Sequence, residues 1–267
     1  MLYGLLFLGV PMVTHRAALA AMSQARRAEV FYQAQRAYEQ AVQVSATDAV
    51  QAERFLRQAA DGFQGLIDDG AVNGRLYYNL GNTYLRLNEV GRAILNYRRA
   101  ERFIPADDRL AEGLRVARSV RRTDIPVAGR SELIHALLFW HYQTTLRGRA
   151  VVGMVFYVLF WLAAIGATLR RHEAWRYVLL GSLLLWAMLG CSLAGSAYAA
   201  AHWREGVILV DNVVVTKDPG VGSSPEFKEP LQQGVEFELL ERHGRWYRIR
   251  LPNGKSGWIP QETADLI

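Results

Sequence analysis

The side chains that most often perform catalysis or bind metals are scattered along this sequence. The six histidines are His15, His135, His141, His172, His202 and His243. No two of them have the spacing of metal ligands on one helix, and no His-Glu-x-x-His motif occurs. The acidic pairs Asp68-Asp69 and Asp107-Asp108 lie at predicted helix ends, where capping explains them. These residues predict neither a catalytic site nor a site for a metal or a cofactor.

Three further features that could indicate chemistry have simpler explanations. Gly220-Val221-Gly222 precedes Ser-Ser-Pro instead of the Gly-Lys-Ser/Thr of a phosphate-binding loop, which favours a surface loop. Cys191 is the only cysteine and lies in an apolar stretch, which argues against a reactive thiolate. The net charge is +6, but the basic residues are dispersed and no nucleic-acid recognition motif is present. We therefore expect a protein that is not an enzyme and does not bind nucleic acid.

Two uncharged stretches, residues 151–169 and 177–201, dominate the second half of the chain. Each is long enough to cross a hydrocarbon core about 30 Å thick, since a helix rises about 1.5 Å per residue. The short turn between them predicts an antiparallel membrane hairpin, and the alternative is a buried helical hairpin of a soluble protein. Arg170, Arg171 and Arg176 favour a cytoplasmic turn, because cytoplasmic loops are enriched in basic residues. The regions on both sides of the hairpin would then lie outside the cytoplasm.

Small residues recur on one face of each apolar stretch. Ala163 and Ala167 share a face in the first stretch. In the second stretch the face consists of Ala187, Gly190, Ala194 and Ala197. Because small residues let helix backbones approach closely, we expect the hairpin to pack on itself through these faces. Contact with a partner helix is the alternative.

Residues 1–20 resemble a secretory signal peptide. An apolar run from Leu2 to Val13 precedes Ala18-Leu19-Ala20, a pattern of small residues typical of a cleavage site. No Lys or Arg precedes Arg16, so the usual basic start is missing and an uncleaved anchor is the alternative. Export of the following region agrees with a cytoplasmic turn in the hairpin.

Residues 25–122 carry apolar stripes at spacings of three and four, which predict amphipathic helices joined by short turns. The part from 74 to 107 has aromatic, small and proline residues in a fixed order, namely Tyr77, Leu80, Gly81, Tyr84, Ala93, Tyr97, Ala100 and Pro105. In this order it resembles a tetratricopeptide repeat, a helix hairpin of about 34 residues. The resemblance implies a small all-α solenoid, with a degenerate repeat before this one and a capping helix after it.

The first helix of each tetratricopeptide repeat lines a concave surface that binds peptides. The resemblance therefore implies five candidate peptide-binding residues, which are Arg75, Tyr78, Asn82, Leu85 and Arg86. Asn82 could hydrogen-bond an extended peptide, and Arg75 and Arg86 could bind carboxylates. The alternative is that these residues are ordinary solvated positions of a structural repeat.

Residues 131–146, between the repeats and the hairpin, predict a short helix with a broad apolar face. Leu133, Ile134 and Leu137 belong to this face. The segment is too short to span a bilayer, so we expect it to lie in the membrane interface. Packing onto the repeat region is the alternative.

Residues 204–267 change to an alternation of period two, which predicts a small all-β module. Strands are expected at 207–210, 213–215, 237–240, 246–251 and 257–259, with Asn253-Gly254 as a hairpin turn. The Trp246-Tyr247 strand and the Gly257-Trp258-Ile259 ending resemble a bacterial SH3 (SH3b) domain, although residues 215–219 depart from the usual Val-Arg-x-Gly-Pro segment. The resemblance makes Trp246 and Trp258 candidate ligand residues, and a place in the core is the alternative.

The sequence thus predicts a multidomain membrane protein with an all-α repeat solenoid, a two-helix transmembrane hairpin and a small SH3-like barrel. This order of modules resembles the BatE family of the Bacteroides aerotolerance group. The resemblance implies a scaffold in the bacterial inner membrane, with the repeat and SH3-like modules on the periplasmic side. It also implies partners among Bat-type membrane proteins, which carry von Willebrand A-type domains, and a MoxR-type ATPase. The alternative is a protein that attaches to peptidoglycan through its SH3b domain.

Overall fold

A computed structural model of the 267-residue chain describes residues 22–123, 125, 144–169, 174–202, 204–220 and 222–267. This part of the chain contains seven α-helices and a five-stranded antiparallel sheet. The predicted signal peptide lies outside the described residues. So does the predicted interfacial segment, except for residues 144–146.

Five helices form the helical region of the protein. They are α1 (Gln24–Val44), α2 (Ala49–Asp68), α3 (Gly74–Arg86), α4 (Val90–Glu101) and α5 (Asp108–Ser119). Asp48, Asn73 and Asp107 each accept a hydrogen bond from a backbone N–H in the first turn of the next helix. Such caps satisfy donors that the helix itself leaves unpaired. Consecutive helices pack against each other around one apolar core.

The start of α1 is fixed to the end of α2 through Asp69. The backbone N–H of Met22 donates a 2.8 Å hydrogen bond to Oδ1 of this carboxylate, and Nε of Arg27 lies 2.6 Å from Oδ2. These two hydrogen bonds hold the pKa of Asp69 below its usual value. These charged hydrogen bonds therefore hold the free ends of the α1–α2 hairpin together.

Five strands form the β region. They are β1 (Arg204–Ile208), β2 (Glu236–His243), β3 (Trp246–Arg250), β4 (Ser256–Pro260) and β5 (Ala264–Leu266). The spatial order is β4-β3-β2-β1-β5, and every neighbouring pair is antiparallel. Asn253-Gly254 does form the turn between β3 and β4, where Gly254 adopts a φ of 85°.

The predicted strand at 213–215 is wrong as a continuous strand. Val213 makes only an isolated bridge to Leu231, the carbonyl of Val215 accepts from Glu226, and Thr216 pairs with Trp258. Since the hydrogen-bond partner changes twice within four residues, no regular ladder can form. Strand β5 was not predicted, because its three residues are too few to give a recognisable alternation.

Two long helices, α6 (Leu146–Leu169) and α7 (Ala174–His202), pack against each other between the helical region and the β region in sequence. Their segments Gly148–Thr168 and Tyr177–Tyr198 are long and apolar enough to cross a membrane. Arg149 of α6 donates a 2.8 Å hydrogen bond from Nη1 to Oγ of Ser192 in α7. This bond links the two helices through polar groups, which an apolar surrounding favours.

The prediction that the small residues of α7 pack against α6 is wrong. Ala163 of α6 is buried between the helices as expected, but Ala187, Gly190, Ala194 and Ala197 of α7 are exposed. The buried residues of α7 are instead Ser182, Leu189 and Ser192. The hydrogen bond from Arg149 explains which face of α7 packs against α6, because Ser192 must face α6 to accept this bond.

Candidate functional site

The five candidate residues of α3 form one stripe, because they recur at spacings of three and four along the helix. Arg75 and Arg86 are exposed, whereas Tyr78, Asn82 and Leu85 are half-buried. Tyr78 and Leu85 also contact the core of the helical region. The structure thus places all five on one face, with two charged ends and a partly apolar middle. We call this face the α3 stripe.

Tyr97 of α4 lies beneath the α3 stripe and is fully buried. Its ring fits between α3 and α5, since a Cβ added to Gly81 would lie 2.7 Å from the ring and one added to Gly113 would lie 3.1 Å from it. The hydroxyl donates a 2.7 Å hydrogen bond to Oδ1 of Asn82, and the ring centre lies 6.0 Å from that of Tyr78. Burial raises the pKa of Tyr97, so its hydroxyl remains protonated and a hydrogen-bond donor.

The hydrogen bond from Tyr97 limits the ligand groups that the side chain of Asn82 can bind. The amide oxygen of Asn82 already accepts this bond, so its amide NH2 is the group that it can offer to a ligand. A carbonyl oxygen of an extended peptide is the matching acceptor. The sequence predicted that Asn82 could hydrogen-bond an extended peptide, but not whether it would donate or accept. The geometry favours donation by its amide NH2.

Arg86, at the end of α3, reaches across to α1. Its Nε donates a 2.9 Å hydrogen bond to the hydroxyl of Tyr38, and its guanidinium lies over the Tyr38 ring at 5.6 Å from the centroid. This contact orients the guanidinium through Nε, and the two Nη groups are those that could bind a carboxylate. Arg75 lies at the other end of the α3 stripe, about 16 Å away along the helix. Tyr38 was not singled out from the sequence, because only the packing of α1 on α3 brings it to the stripe.

The two candidate tryptophans of the β region differ in exposure. Trp258 in β4 is 8% exposed, and its backbone exchanges two hydrogen bonds with Thr216. Its ring lies edge-on to that of His243, with 6.3 Å between the centroids. Trp246, at the start of β3, is half-buried. Of the two, Trp246 is therefore the one that presents surface to a ligand.

A contact surface between the helical region and the β region was missed from the sequence. Arg98 of α4 pairs with Glu205 of β1 and Glu236 of β2. It also pairs with Glu101 of its own helix. Arg118 of α5 binds Glu236 as well, at 2.8 Å. Burial disfavours the charge of Arg98, but the three carboxylates outweigh burial and raise its pKa.

The same surface includes a close apolar contact. A Cβ added to Gly91 at the start of α4 would lie 2.5 Å from the carbonyl oxygen of Ile208, so only glycine permits this approach of helix and strand. The backbone N–H of Gly91 donates a 3.2 Å hydrogen bond to the side chain of Gln233. Val207 of β1 is fully buried within the core of the helical region. The two regions therefore share a core across α4.

The α3 stripe offers an amide donor, two arginines and a partly apolar middle to a ligand. Among the residues that the structure describes, no three His, Cys, Asp or Glu side chains lie close enough together to hold a metal ion. The chain matches no protein-family model, and no curated protein is significantly similar to it. Its function is therefore inferred from the α3 stripe, the shared core and the apolar hairpin.

Proposed function

We propose that this protein is a non-enzymatic membrane scaffold whose α3 stripe binds an extended segment of a partner protein. The observation that carries the proposal is the support of the stripe by Tyr97, which fixes Tyr78 and Asn82 from below. Side chains held in place in this way lose little conformational freedom on binding. On the other side of the helical region, the β region already covers α4. The α3 stripe, with Arg75 and Arg86 exposed at its ends, is the face that we propose for the partner.

The chemistry of the stripe favours an acidic, extended peptide. The amide of Asn82 would donate to a backbone carbonyl, and the ring of Tyr78 would pack against an apolar side chain of the peptide. Arg75 and Arg86, about 16 Å apart along α3, would pair with carboxylates at two positions of the peptide. An extended chain advances about 3.3 Å per residue, so these carboxylates would be about five residues apart.

The hairpin of α6 and α7 would anchor the scaffold in the bacterial inner membrane. The contact between Arg98 and Glu205 supports a common side for the helical and β regions, because a bilayer cannot separate residues in contact. The arginines of the predicted turn favour the periplasm as that side. From the resemblance of the module order to the BatE family, the partners we propose are Bat-type membrane proteins acting with a MoxR-type ATPase.

Site-specific photo-crosslinking of the full chain in its native membrane tests this function. A benzophenone amino acid in place of Tyr78 should give adducts with one partner, because it lies in the middle of the α3 stripe. The matched control is the same amino acid in place of Gln58, an exposed position of α2. Asn82→Ala with Arg86→Ala should reduce the adducts at position 78 at least tenfold. Equal adducts at both positions, or adducts that persist in the double variant, would contradict the proposal.

Attachment to peptidoglycan has less support than binding at the stripe. With Trp258 buried, the resemblance to SH3b domains leaves Trp246 as the candidate ligand residue. Sedimentation of the detergent-solubilised full chain with purified cell wall would reveal such attachment, and we expect none.

A further inference from the structure

The turn between β2 and β3 lies at the end of the β1–β2 pair where the chain arrives from α7. Helix α7 ends at His202 and β1 begins at Arg204, so a single residue joins them. Arg204 pairs with Leu239 of β2, and β2 continues beyond this pair to His243. The β2–β3 turn therefore extends past the first residue of β1 on the side of α7.

The lengths involved bring this turn within reach of a bilayer surface. The apolar segment of α7 ends at Tyr198, four residues before His202, which corresponds to about 6 Å of helix. From Leu239 to His243, β2 extends about 13 Å beyond the point where β1 begins. The polar layer of a bilayer is about 5–8 Å thick. The rise from Tyr198 to Arg204 is at most about 13 Å, four helical residues and two extended ones, so the overhang of the turn matches the height of β1 above the apolar segment.

The residues of the turn are those that favour a membrane interface. Arg242, His243 and Arg245 are exposed, and Trp246 is half-buried beside them. The guanidinium of Arg242 lies over the ring of Tyr247, 5.3 Å from its centroid. Tyr247 itself is buried and supports Arg242 from inside the β region. Tryptophan is enriched at headgroup level, and arginines are attracted to anionic lipids. We call residues 242–246 the β2–β3 tip.

The β2–β3 tip carries net positive charge, since Arg242 and Arg245 are its charged residues and none of its residues is acidic. Glu205, Glu236 and Asp265 pair with arginines of α4 and α5. Glu241 is the single acidic residue between positions 240 and 250, and it lies 3.7 Å from Arg248. Glu241 is thus paired with Arg248, and the exposed Arg242 and Arg245 keep the net charge of the tip positive.

We propose that the β2–β3 tip contacts the surface of an anionic bilayer, with Arg242 and Arg245 at the lipid phosphates and Trp246 among the headgroups. This inference rests on the proposed insertion of α6 and α7 into the membrane. It makes the β region a second contact with the bilayer, besides the hairpin. The turn at Asn253, at the opposite end of β3, stays away from the lipid.

Single-cysteine labelling of the full chain in vesicles tests the contact and the insertion separately. The native Cys191, exposed on α7 within the apolar segment, reports insertion. In the Cys191→Ser background, His243→Cys reports the tip and Asn253→Cys reports the opposite turn. Each cysteine carries a fluorescent probe, and the vesicles contain phosphatidylglycerol with spin-labelled quencher lipids. We expect strong quenching at 191 and 243, and at least threefold less at 253.

Charge reversal tests the role of the arginines. Arg242→Glu with Arg245→Glu should lower quenching at 243 at least fivefold, the factor expected for one basic residue at an anionic surface. Vesicles of phosphatidylcholine alone should have a similar effect, and circular dichroism should remain unchanged. Quenching at 191 without quenching at 243 would overturn the inference and leave the scaffold intact. Absence of quenching at 191 would overturn both, and protection of the 243 probe by purified cell wall instead of lipid would overturn the lipid contact.

Discussion

The hydroxyl of Tyr97 is the atom that links the buried core of the helical region to its exposed α3 stripe. It donates to Asn82 at 2.7 Å, while the ring that carries it is enclosed by α3 and α5. Because a buried ring cannot change rotamer without opening the core, the amide of Asn82 is held in one orientation. The α3 stripe is thus ordered by a side chain that is buried beneath it.

Tyr97→Phe should destabilise the full chain by about 1–2 kcal/mol, because it removes the donor to a half-buried amide oxygen while leaving the ring in place. Chemical unfolding in detergent micelles measures the change. Tyr32→Phe is the control, since Tyr32 is 62% exposed and its substitution should cost less than about 0.5 kcal/mol. Equal costs for the two variants would show that the hydroxyl of Tyr97 carries no structural role.

The sequence predicted residue types at the stripe better than it predicted their interactions. Asn82 and Arg86 lie on one face of α3 with Arg75, as their spacing predicted, and their part in peptide binding stays a prediction. Their partners Tyr97 and Tyr38 lie on other helices, and which atoms meet depends on the crossing of α3 with α4 and with α1. A spacing along one helix contains no information on that crossing.

At the scale of elements, helices were easier to predict than strands. The helices and short turns predicted for residues 25–122 are present. Helices α2 and α3 begin directly after the capping residues Asp48 and Asn73, and a cap is a local signal. The segment 213–215 has the composition of a strand, but its backbone hydrogen bonds go to two separate positions, Leu231 and Glu226. Strand formation depends on a partner, so composition alone could not settle that segment.

Two helical glycines offer a matched test of how closely the helices pack. Gly81→Ala should destabilise the full chain by about 1–3 kcal/mol, because the new methyl group would overlap the ring of Tyr97. Gly65→Ala on α2 meets no atom within 4 Å and should stabilise by about 0.5–1 kcal/mol through helix propensity. Thermal and chemical unfolding measure both. The same sign for the two variants would contradict the close crossing of α3 and α4.

At the scale of the whole molecule, α4 serves both regions. One side of it supports the α3 stripe through Tyr97, and another receives β1 through Gly91 and Arg98. The sequence analysis treated the basic residues only as dispersed and predicted no partners for the arginines of α4. Their partners could not be identified, because Arg98 and Glu205 are 107 residues apart and the hairpin lies between them.

Arg98→Ala should weaken the shared surface by about 2–3 kcal/mol, because Glu205 would lose its cation and Glu236 would keep only Arg118. Hydrogen exchange should rise across β1 and the start of α4. Arg115→Ala is the control, since Arg115 is 69% exposed, pairs only with Glu112 of its own helix among the ion pairs described, and should cost less than about 0.5 kcal/mol. Unchanged exchange in Arg98→Ala would contradict a stable contact.

The position of the hairpin between two contacting regions also sets an order for biosynthesis. A ribosome completes α4 long before it reaches β1, so the patch around Gly91 and Arg98 is uncovered while α6 and α7 are made. Closing a loop of 107 residues costs entropy that grows with the logarithm of its length. In an antiparallel hairpin the end of α7 lies beside the start of α6. This shortens the distance that remains between β1 and α4. A chain that stops after α7 would keep its helices but leave this patch open to chaperones and proteases.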